Sequence, residues 1–295
     1  MKVSIITIVY NNKACIGDCL QSVLSQSYPD IEHIVIDGGS TDGTQKEIEP
    51  YRKWLAYYKS EKDNGPYSAL NKGISQASGE IVGILHSDDV FYGPDTIQKV
   101  VSAFQQSRAD LVYANGMYMD KGNLQKIKRI YPARIFRNYF LFLGWIPLHT
   151  TIYVKRELFQ QYGLYDEQFS IASDYDISLR WFKQLKIKKY FLNEWVVKMR
   201  FGGMSTSLHL QKKKSAEDLI IIRRHRLWGW FTLACKIGRK IPQYIIPRIS
   251  NIKIEGKGVK KDKVLKSRQR SIISLEQPWV KRDETRNPNQ EKDVS

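Results

Sequence analysis

The sequence predicts an α/β fold built on a mixed, mainly parallel sheet with helices on both faces. Apolar, β-branched runs at 3–9 and 31–37 are typical of strands buried on both sides. Segments with apolar residues at helical spacing alternate with these runs, which is the pattern of βαβ units. Polar residues follow three of the predicted strands, at the edge where an open α/β sheet binds its ligand.

The elements of the first half follow in order. Ile16, Leu20 and Leu24 recur at helical spacing after the first strand, and Pro50 interrupts a second helix. Gly79 stands just past a third helix, and Pro94 is typical of the start of a fourth. Strands are predicted at 3–9, 31–37, 55–59, 81–85 and 110–115, and helices at 16–24, 44–54, 67–77 and 94–104.

The second half is less regular. A strand is predicted at 150–154 and a helix at 174–183. From residue 251 the chain is rich in Lys, Arg, Gln, Asn and Ser, a composition typical of a flexible tail. We therefore expect three parts: a folded domain over 1–210, a basic amphipathic helical extension over 211–250 and a flexible basic tail over 251–295.

The charge is unevenly distributed. The 295 residues include 47 Lys and Arg against 30 Asp and Glu, a net charge of +17. Residues 1–100 carry 9 basic and 13 acidic side chains, whereas residues 201–295 carry 22 and 9. A nucleic-acid binder usually concentrates positive charge on its recognition domain. The gradient favours an acidic fold with a basic appendage for an anionic partner, either a membrane surface or a phosphorylated acceptor. A non-enzymatic polyanion binder is an alternative.

Several classes of protein are excluded or disfavoured. No run of 18 apolar residues is present, which excludes a simple transmembrane helix. The N-terminus enters a strand without a signal-peptide pattern, so we expect a cytoplasmic protein. Cys15, Cys19 and Cys235 are too few and too scattered for a disulfide framework. The sequence contains neither the glycine-rich loop of dinucleotide-binding proteins nor the phosphate loop of NTPases, which disfavours both functions.

Aspartates follow two of the predicted strands. Asp88 and Asp89 come after the strand at 81–85, and adjacent carboxylates can share a hard cation such as Mg²⁺ or Mn²⁺ with a diphosphate. The alternative is a solvated turn before the next helix. Asp37 precedes two glycines and is suited to accepting hydrogen bonds from a base or ribose. Its alternative is an ordinary turn capped by a hydroxyl side chain.

A second acidic group begins the helix at 174–183. Asp174 in a cleft could act as a general base, although acidic residues also stabilise a helix N-terminus through its dipole. Asp176 and Arg180 lie four residues apart, so we assign them to orienting this helix. His149 is expected near the cleft in a supporting role.

Taken together, these motifs resemble family 2 glycosyltransferases, which are inverting enzymes of the GT-A fold. The resemblance covers about residues 1–205, and several motifs occur in register. The matching segments lie at 4–12, 22–28, 37–44 (DGGSTDGT), 63–65, 69–74 (ALNKGI), 87–89 (SDD), 163–166 and 173–176.

The resemblance implies a Rossmann-like nucleotide-diphospho-sugar transferase fold and a set of residue roles. Asp174 matches the catalytic base, and Asp89 matches the ligand of Mg²⁺ or Mn²⁺ in the family's DxD-type motif. Arg200 and the segment 202–205 resemble a late loop near the donor. Ser173 stands where the family often has Glu, and His86 where Asn is frequent. The matched donor-binding positions are Thr7, Tyr10, Asp37, Asn71 and Asp88.

The implied function is transfer of a sugar, with inversion, from a UDP-linked nucleotide-sugar donor to a saccharide or lipid-linked saccharide. The sugar would be a hexosyl or N-acetylhexosaminyl group, and the pathway surface polysaccharide or glycolipid synthesis. A sugar nucleotidyltransferase is the alternative enzyme. No specific nucleic acid is expected as a partner.

The basic region at 223–248 completes the prediction. An ideal helix from Leu227 gathers apolar residues on one side and places three basic residues opposite. Such a helix can lie in a membrane interface or pack on the domain, and the net charge favours a peripheral position on the cytoplasmic face. The apolar set is Leu227, Trp230, Phe231, Ala234, Ile237 and Ile241, and the basic set is Lys236, Arg239 and Lys240.

Overall fold

The computed structural model describes residues 1–202 and 210–249, with side chains through residue 244. The prediction of a flexible tail over 251–295 lies outside the described residues. So do the predicted late-loop residues Gly203, Met204 and Ser205. The boundaries at 210 and 250 stay predictions.

The first part of the chain alternates strands with helices. The predicted helix at 44–54 is divided near Pro50, where α2 gives way to a 3₁₀ helix at Glu49–Trp54. The elements are β1 (Val3–Val9), α1 (Lys13–Leu24), β2 (Ile31–Asp37), α2 (Thr44–Ile48), β3 (Tyr57–Ser60), α3 (Pro66–Gln76) and β4 (Ile81–Ile84).

The second part adds strands of both directions. The elements are β5 (Val90–Phe91), α4 (Thr96–Ser107), β6 (Leu111–Met119), β7 (Ile127–Tyr131), α5 (Tyr139–Phe142), β8 (Ile152–Lys155), α6 (Glu157–Tyr162), α7 (Ser173–Phe182) and β9 (Lys189–Arg200). A 3₁₀ turn at His149–Thr151 leads into β8.

One sheet connects these strands in the order β3-β2-β1-β4-β8-β6-β9-β5, with β7 beside β6. β3, β2, β1 and β4 are parallel, and β6 and β9 are parallel to each other. β8 joins the two groups through antiparallel pairs with β4 and β6. Apolar side chains pack on both sheet faces, as burial of Ile6 and Ile34 in one cluster and Ile5 and Val112 in another shows. The predicted α/β class is confirmed.

Three helices follow β9 and the undescribed segment: α8 (Gln211–Arg224), α9 (Gly229–Gly238) and α10 (Lys240–Ile249). The predicted single helix from Leu227 is thus divided near Arg239. α9 lies directly on Gly144, where an added Cβ would come within 2.7 Å of the Thr232 carbonyl oxygen. The positive φ of Gly144, 64°, also favours glycine here.

The apolar side of α9 faces away from the domain. Trp230 is 67% exposed and Phe231 53% exposed, whereas Thr232 and Leu233 are buried. Leu227, which was predicted on the apolar side, is buried. Within residues 1–202 and 210–249, no helix has both the length and the apolar character needed to span a membrane.

Candidate functional site

The topology brings the predicted strand-end residues to one edge of the sheet. β1 lies between β2 and β4, and all three are parallel, so their carboxyl ends meet. Tyr10 follows β1 and is 66% exposed. Asp37 ends β2, and Asp88 and Asp89 follow β4. This edge is the candidate donor side of the site.

Asp37 is completely buried and surrounded by donors. Its carboxylate accepts hydrogen bonds from the Ser40 amide at 3.2 Å and from the hydroxyls of Ser40 and Ser60. The following backbone is closely packed, because a Cβ on Gly38 would come within 2.9 Å of the Asp63 carboxylate. Asp37 therefore shapes the turn, and its predicted contact with the donor stays a prediction.

Arg200 fixes the turn that carries Asp88 and Asp89. The guanidinium, which is 8% exposed, donates to the Asp88 carbonyl oxygen at 2.9 Å and pairs with the Asp18 carboxylate at 2.6 Å. Burial raises the pKa of Asp88, and the charges of Arg200 and Lys121 oppose that rise. Arg200 thus ties the end of β9 to α1 and to the predicted metal-binding turn.

Asp89 is fully buried, and neither of its carboxylate oxygens has a hydrogen-bond partner of normal geometry among the described residues. Burial raises its pKa well above the usual value, and the neighbouring Asp88 charge adds to the rise, while the charge and the nearby backbone amide of Arg200 oppose it. A buried carboxylate without a partner is unfavourable unless a proton or a cation neutralises it.

These two carboxylates fit a hard divalent cation that takes oxygen ligands. In the part of the chain that the structure describes, no group of three or more His, Cys, Asp or Glu side chains could hold a metal. The protein thus offers an incomplete set of ligands, which diphosphate oxygens of a bound nucleotide could complete.

Asp174 lies at the start of α7, and its side chain is 26% exposed. One carboxylate oxygen is 3.3 Å from His149 Nδ1, and the other accepts a hydrogen bond from the Tyr67 hydroxyl at 3.3 Å. His149 Nε2 is in turn 2.8 Å from His86 Nε2, so one of the two rings donates to the other. A chain of contacts therefore joins Asp174 to the segment that carries Asp88.

The charge of Asp174 is favoured by its neighbours. Burial alone would raise the pKa of Asp174, but the hydrogen bond and the electrostatic interaction with His149 hold it well below the usual range. The charges of Lys214 and Lys236 act in the same direction. The group is consequently a carboxylate at neutral pH and able to accept a proton.

Asp176 and Arg180 orient α7. The Asp176 carboxylate is buried and bonds to Arg180 Nε at 3.0 Å and to His225 Nε2 at 2.9 Å. Arg180 also donates to the carbonyl oxygens of Tyr162 and Leu164. This arrangement is the i, i+4 pair that was predicted, with an additional tie to the end of α8.

Two predicted donor-binding residues make contacts within the protein. The Thr7 hydroxyl is fully buried and lies 2.9 Å from His33 Nε2. The Asn71 amide donates to the Tyr165 carbonyl oxygen and to Glu167, both at 2.9 Å. Asn71 thus joins α3 to the loop before α7. The donor-binding roles of both residues stay predictions.

Comparison with known proteins identifies the family of the chain. The model of Glycosyl transferase family 2 matches residues 4–164. A glycosyltransferase of Mycobacterium tuberculosis (strain CDC 1551 / Oshkosh) is 35% identical over 180 residues, 60% of this chain and 68% of that protein. A PGL/p-HBAD biosynthesis glycosyltransferase of Mycobacterium bovis (strain BCG / Pasteur 1173P2) is 28% identical, and the match covers 70% of this chain and 79% of that protein. The chain belongs to glycosyl transferase family 2.

Solved structures show the same GT-A fold. S. aureus TarS 1–349 in complex with UDP-GlcNAc has a TM-score of 0.57 and 20% identity, over 75% of this chain and 65% of that one. A longer TarS chain is matched over 40% of its length with a TM-score of 0.54. A mannosyltransferase from Pyrobaculum calidifontis in complex with GDP-Man and Mn²⁺ has a TM-score of 0.58 and 18% identity. This match covers 94% of our chain and 81% of the mannosyltransferase chain. The predicted family and fold are confirmed.

The sequence left several residues of this glycosyltransferase site unassigned. Tyr67 reaches Asp174 and stacks on Tyr165 with ring centroids 5.6 Å apart. Arg129 and Lys236 line a cleft beside Asp174. Tyr67 follows the Asp63-Asn64-Gly65 motif, which was a usable signal. The two cations belong to β7 and α9, and local sequence gives no indication that these elements meet at Asp174.

We expect His149→Leu to move the acid limb of the kcat/KM pH profile to higher pH. The substitution removes the hydrogen bond that lowers the pKa of Asp174 and leaves the burial that raises it, so the carboxylate will take up a proton at a higher pH. His149→Asn can replace Nδ1 with an amide nitrogen and should restore most of the profile. Superimposable acid limbs in the wild type and His149→Leu would contradict this role.

Proposed function

We propose that the protein is a metal-dependent, inverting glycosyltransferase that moves a sugar from a nucleotide sugar to an acceptor hydroxyl. The observation that carries this proposal is the chain of contacts from Asp174 through His149 to His86, next to the Asp88–Asp89 turn. These contacts connect the Asp174 carboxylate to the segment that carries Asp88 and Asp89, to which we assign the metal and the diphosphate. Membership of family 2 supports transfer chemistry.

In the proposed reaction the Asp174 carboxylate takes the proton of the acceptor hydroxyl. The acceptor oxygen forms a bond to the anomeric carbon as the bond to the nucleoside diphosphate breaks on the opposite face, which inverts the configuration. His149 holds the carboxylate in position and favours its ionised form. Tyr67 donates to the other carboxylate oxygen, which further restricts its rotation.

Asp89, with Asp88 beside it, would hold Mg²⁺ or Mn²⁺. When bound, the ion supplies a Lewis acid that stabilises the charge on the departing diphosphate. Among the residues that the structure describes, the buried carboxylate of Asp89 has no hydrogen-bond partner of normal geometry, which supports this role. A second support is the Pyrobaculum calidifontis mannosyltransferase, whose complex contains Mn²⁺ together with GDP-Man.

The proposed donor is a UDP-linked hexose or N-acetylhexosamine, and the proposed acceptor is a saccharide or lipid-linked saccharide of a surface polysaccharide or glycolipid. The S. aureus complex with UDP-GlcNAc supports a UDP sugar. The Mycobacterium bovis relative, named for PGL/p-HBAD biosynthesis, supports a glycolipid or related acceptor.

A screen of nucleotide sugars with Mn²⁺ or Mg²⁺ tests the function. Binding of the right donor should raise the melting temperature by mass action, and turnover should release a nucleoside diphosphate. Release of pyrophosphate instead would indicate a nucleotidyltransferase. Salt-dependent binding of RNA or DNA with no affinity for any nucleotide sugar would favour the polyanion binder.

We further propose a peripheral membrane position through the region 223–248. Trp228, Trp230 and Phe231 are exposed next to one another, and the rings of Trp228 and Phe231 have centroids 5.7 Å apart. Arg223 and Arg224 lie at the end of α8 nearby. Exposed aromatic side chains beside cations are typical of surfaces that enter the headgroup region of an anionic bilayer.

Trp230→Ser and Phe231→Ser should each lower the partition coefficient for phosphatidylglycerol-containing vesicles by about tenfold, since each removes an aromatic ring from the apolar surface. Tyr190→Ser, at an exposed site on β9, is a control for loss of an aromatic residue. Vesicle sedimentation at physiological salt measures the effect. Equal partitioning of all variants would contradict the proposed membrane surface.

A further inference from the structure

A cleft of about 110 Å³ that opens to solvent lies beside Asp174. The β6–β7 hairpin, the end of the loop before β8, α7, the end of β9 and the C-terminal helices form its walls. Within the part of the chain that the structure describes, its charged lining consists of five cations and one carboxylate: Arg129, Lys214, Lys236, Arg239, Lys240 and Asp174.

Lys236 has a carboxylate partner, Asp218, at 2.7 Å, and both side chains are largely buried. For the other four cations, no carboxylate of the described residues lies within ion-pair distance. Arg129 is 6% exposed, and its Nε donates to Gln243 Oε1 at 2.8 Å. Its guanidinium also lies 5.0 Å from the centroid of the Tyr118 ring. A buried guanidinium with neutral neighbours keeps its full positive charge directed at the cleft.

Arg239 and Lys240 add unbalanced charge. Arg239 donates to the Gly144 carbonyl oxygen at 2.7 Å, and its Nε is buried without a hydrogen-bond partner in the described chain. Burial lowers the pKa of Lys240, and the positive charges of Lys214 and Arg129 lower it further. Burial also lowers the pKa of Lys236 to about 8, although Asp218 opposes that change. These cations repel one another, so an anion with several charges would stabilise all of them.

We propose that this basic pocket binds a phosphate or diphosphate group of the acceptor and so holds the acceptor hydroxyl against Asp174. The inference rests on the proposed function and names the acceptor's chemical class. The pocket borders Asp174 and His149, whereas Asp37, Asp88 and Asp89 are absent from its described lining. We assign the phosphates of the donor to the edge of the sheet that carries these three aspartates, where the metal would lie.

Two sources carry such a group, a lipid-linked diphosphate sugar and a water-soluble phosphorylated saccharide. The lipid source fits the outward face of α9, because Trp230 and Phe231 are exposed on the side opposite the pocket cation Lys236. Both sources would present oxygens with negative charge to the same cations.

The first test uses inorganic pyrophosphate as the probe, in EDTA so that no metal site contributes. Calorimetry should detect pyrophosphate binding to the full chain, and Lys214→Gln/Lys240→Gln should raise its Kd by about ten- to a hundredfold. Lys212→Gln/Lys213→Gln removes the same charge from exposed positions of α8 and should leave the Kd unchanged. Equal losses in both double variants, or no loss in the first, would overturn the site.

The second test compares acceptors in the presence of the donor and Mn²⁺. A polyprenyl diphosphate-linked sugar in detergent or a soluble sugar phosphate should have a KM at least about tenfold below that of the same unphosphorylated sugar, and Lys214→Gln/Lys240→Gln should abolish the preference. Equal KM values for phosphorylated and unphosphorylated acceptors would overturn the inference and leave the glycosyltransferase function intact. Weakened UDP binding in Lys214→Gln/Lys240→Gln would assign the pocket to the donor and overturn it as well.

A different result would count against the proposed function. If no nucleotide sugar binds and no nucleoside diphosphate is released with any acceptor, the transferase function fails. The pyrophosphate experiment decides the existence of the anion pocket independently of that result.

Discussion

Asp174→Asn is expected to lower kcat for sugar transfer by about 10²- to 10⁴-fold, the usual contribution of a general base. Asn has nearly the same shape as Asp and can keep a hydrogen bond with His149, but its amide cannot accept the acceptor's proton. The Kd of the nucleotide sugar should not change, because Asp174 contacts α3 and the loop before β8 and not the strand-end edge.

The same interpretation predicts the pH dependence of the wild type. The folded-state pKa of Asp174 is held low by His149 despite burial, so the carboxylate stays ionised well below neutral pH. A depressed carboxyl pKa also contributes stability above the pKa of the unfolded chain, and this contribution is lost as the pH falls through the folded-state value. Activity should therefore have no acid limb near neutral pH that originates at Asp174.

Measurement of nucleoside diphosphate release at saturating donor and acceptor gives kcat, and a thermal shift with the donor gives its affinity. Asp30→Asn makes the same chemical change at an exposed position between α1 and β2 and should retain wild-type kcat. A kcat for Asp174→Asn within a factor of about three of the control would remove Asp174 as the base.

The local sequence pattern was sufficient to predict the strands that surround the proposed donor side of the site. The strands predicted at 3–9 and 31–37 have the bounds of β1 and β2, because both are buried on two faces and consist of apolar, β-branched residues. Their parallel pairing then places Tyr10 and Asp37 at one edge of the sheet. This inference needed only the rule that βαβ units produce parallel strands.

The proposed acceptor side could not be predicted in the same way, because contacts between residues distant in sequence determine its structure. β9 was not predicted, since Lys189–Arg200 mixes polar and apolar residues and its burial comes from pairing with β6 and β5. The link between His86 and His149 spans 63 residues. The helical pattern of α9 predicted two faces, but pattern alone does not indicate which face meets the domain. The basic face meets the domain, where Lys236 forms an ion pair with Asp218 of α8.

Asp89→Asn is expected to have opposite effects on activity and stability. Loss of the metal-binding carboxylate should lower kcat/KM by about 10²- to 10⁴-fold, equivalent to several kcal/mol of transition-state stabilisation. The metal-free protein should become more stable, by about 1–3 kcal/mol, because a neutral amide replaces a buried carboxylate for which residues 1–202 and 210–249 supply no hydrogen-bond partner of normal geometry. For a chain of this size, each kcal/mol raises Tm by about 2–4 °C.

The sign of the pH dependence follows from the raised pKa of Asp89. The folded state holds the proton of this carboxyl more tightly than the unfolded chain does. Its contribution to stability is therefore fully present below the unfolded pKa and is lost as the pH rises through the folded-state pKa. Without metal, the wild type should lose stability over that window relative to Asp89→Asn, and the difference in Tm between the two should widen with pH.

Thermal melts in EDTA and in Mn²⁺, with and without UDP, separate these effects. In the wild type, Mn²⁺ with UDP should raise Tm, whereas Asp89→Asn should begin from a higher Tm in EDTA and respond little to the metal. Asp88→Asn is the matched control for the stability effect in EDTA alone, because its half-buried side chain gains less from neutralisation and its main chain keeps the bond to Arg200. A lower Tm for Asp89→Asn in EDTA would show that the buried carboxylate is stabilised within the protein itself, and an unaltered response to Mn²⁺ with UDP would remove Asp89 as the metal ligand.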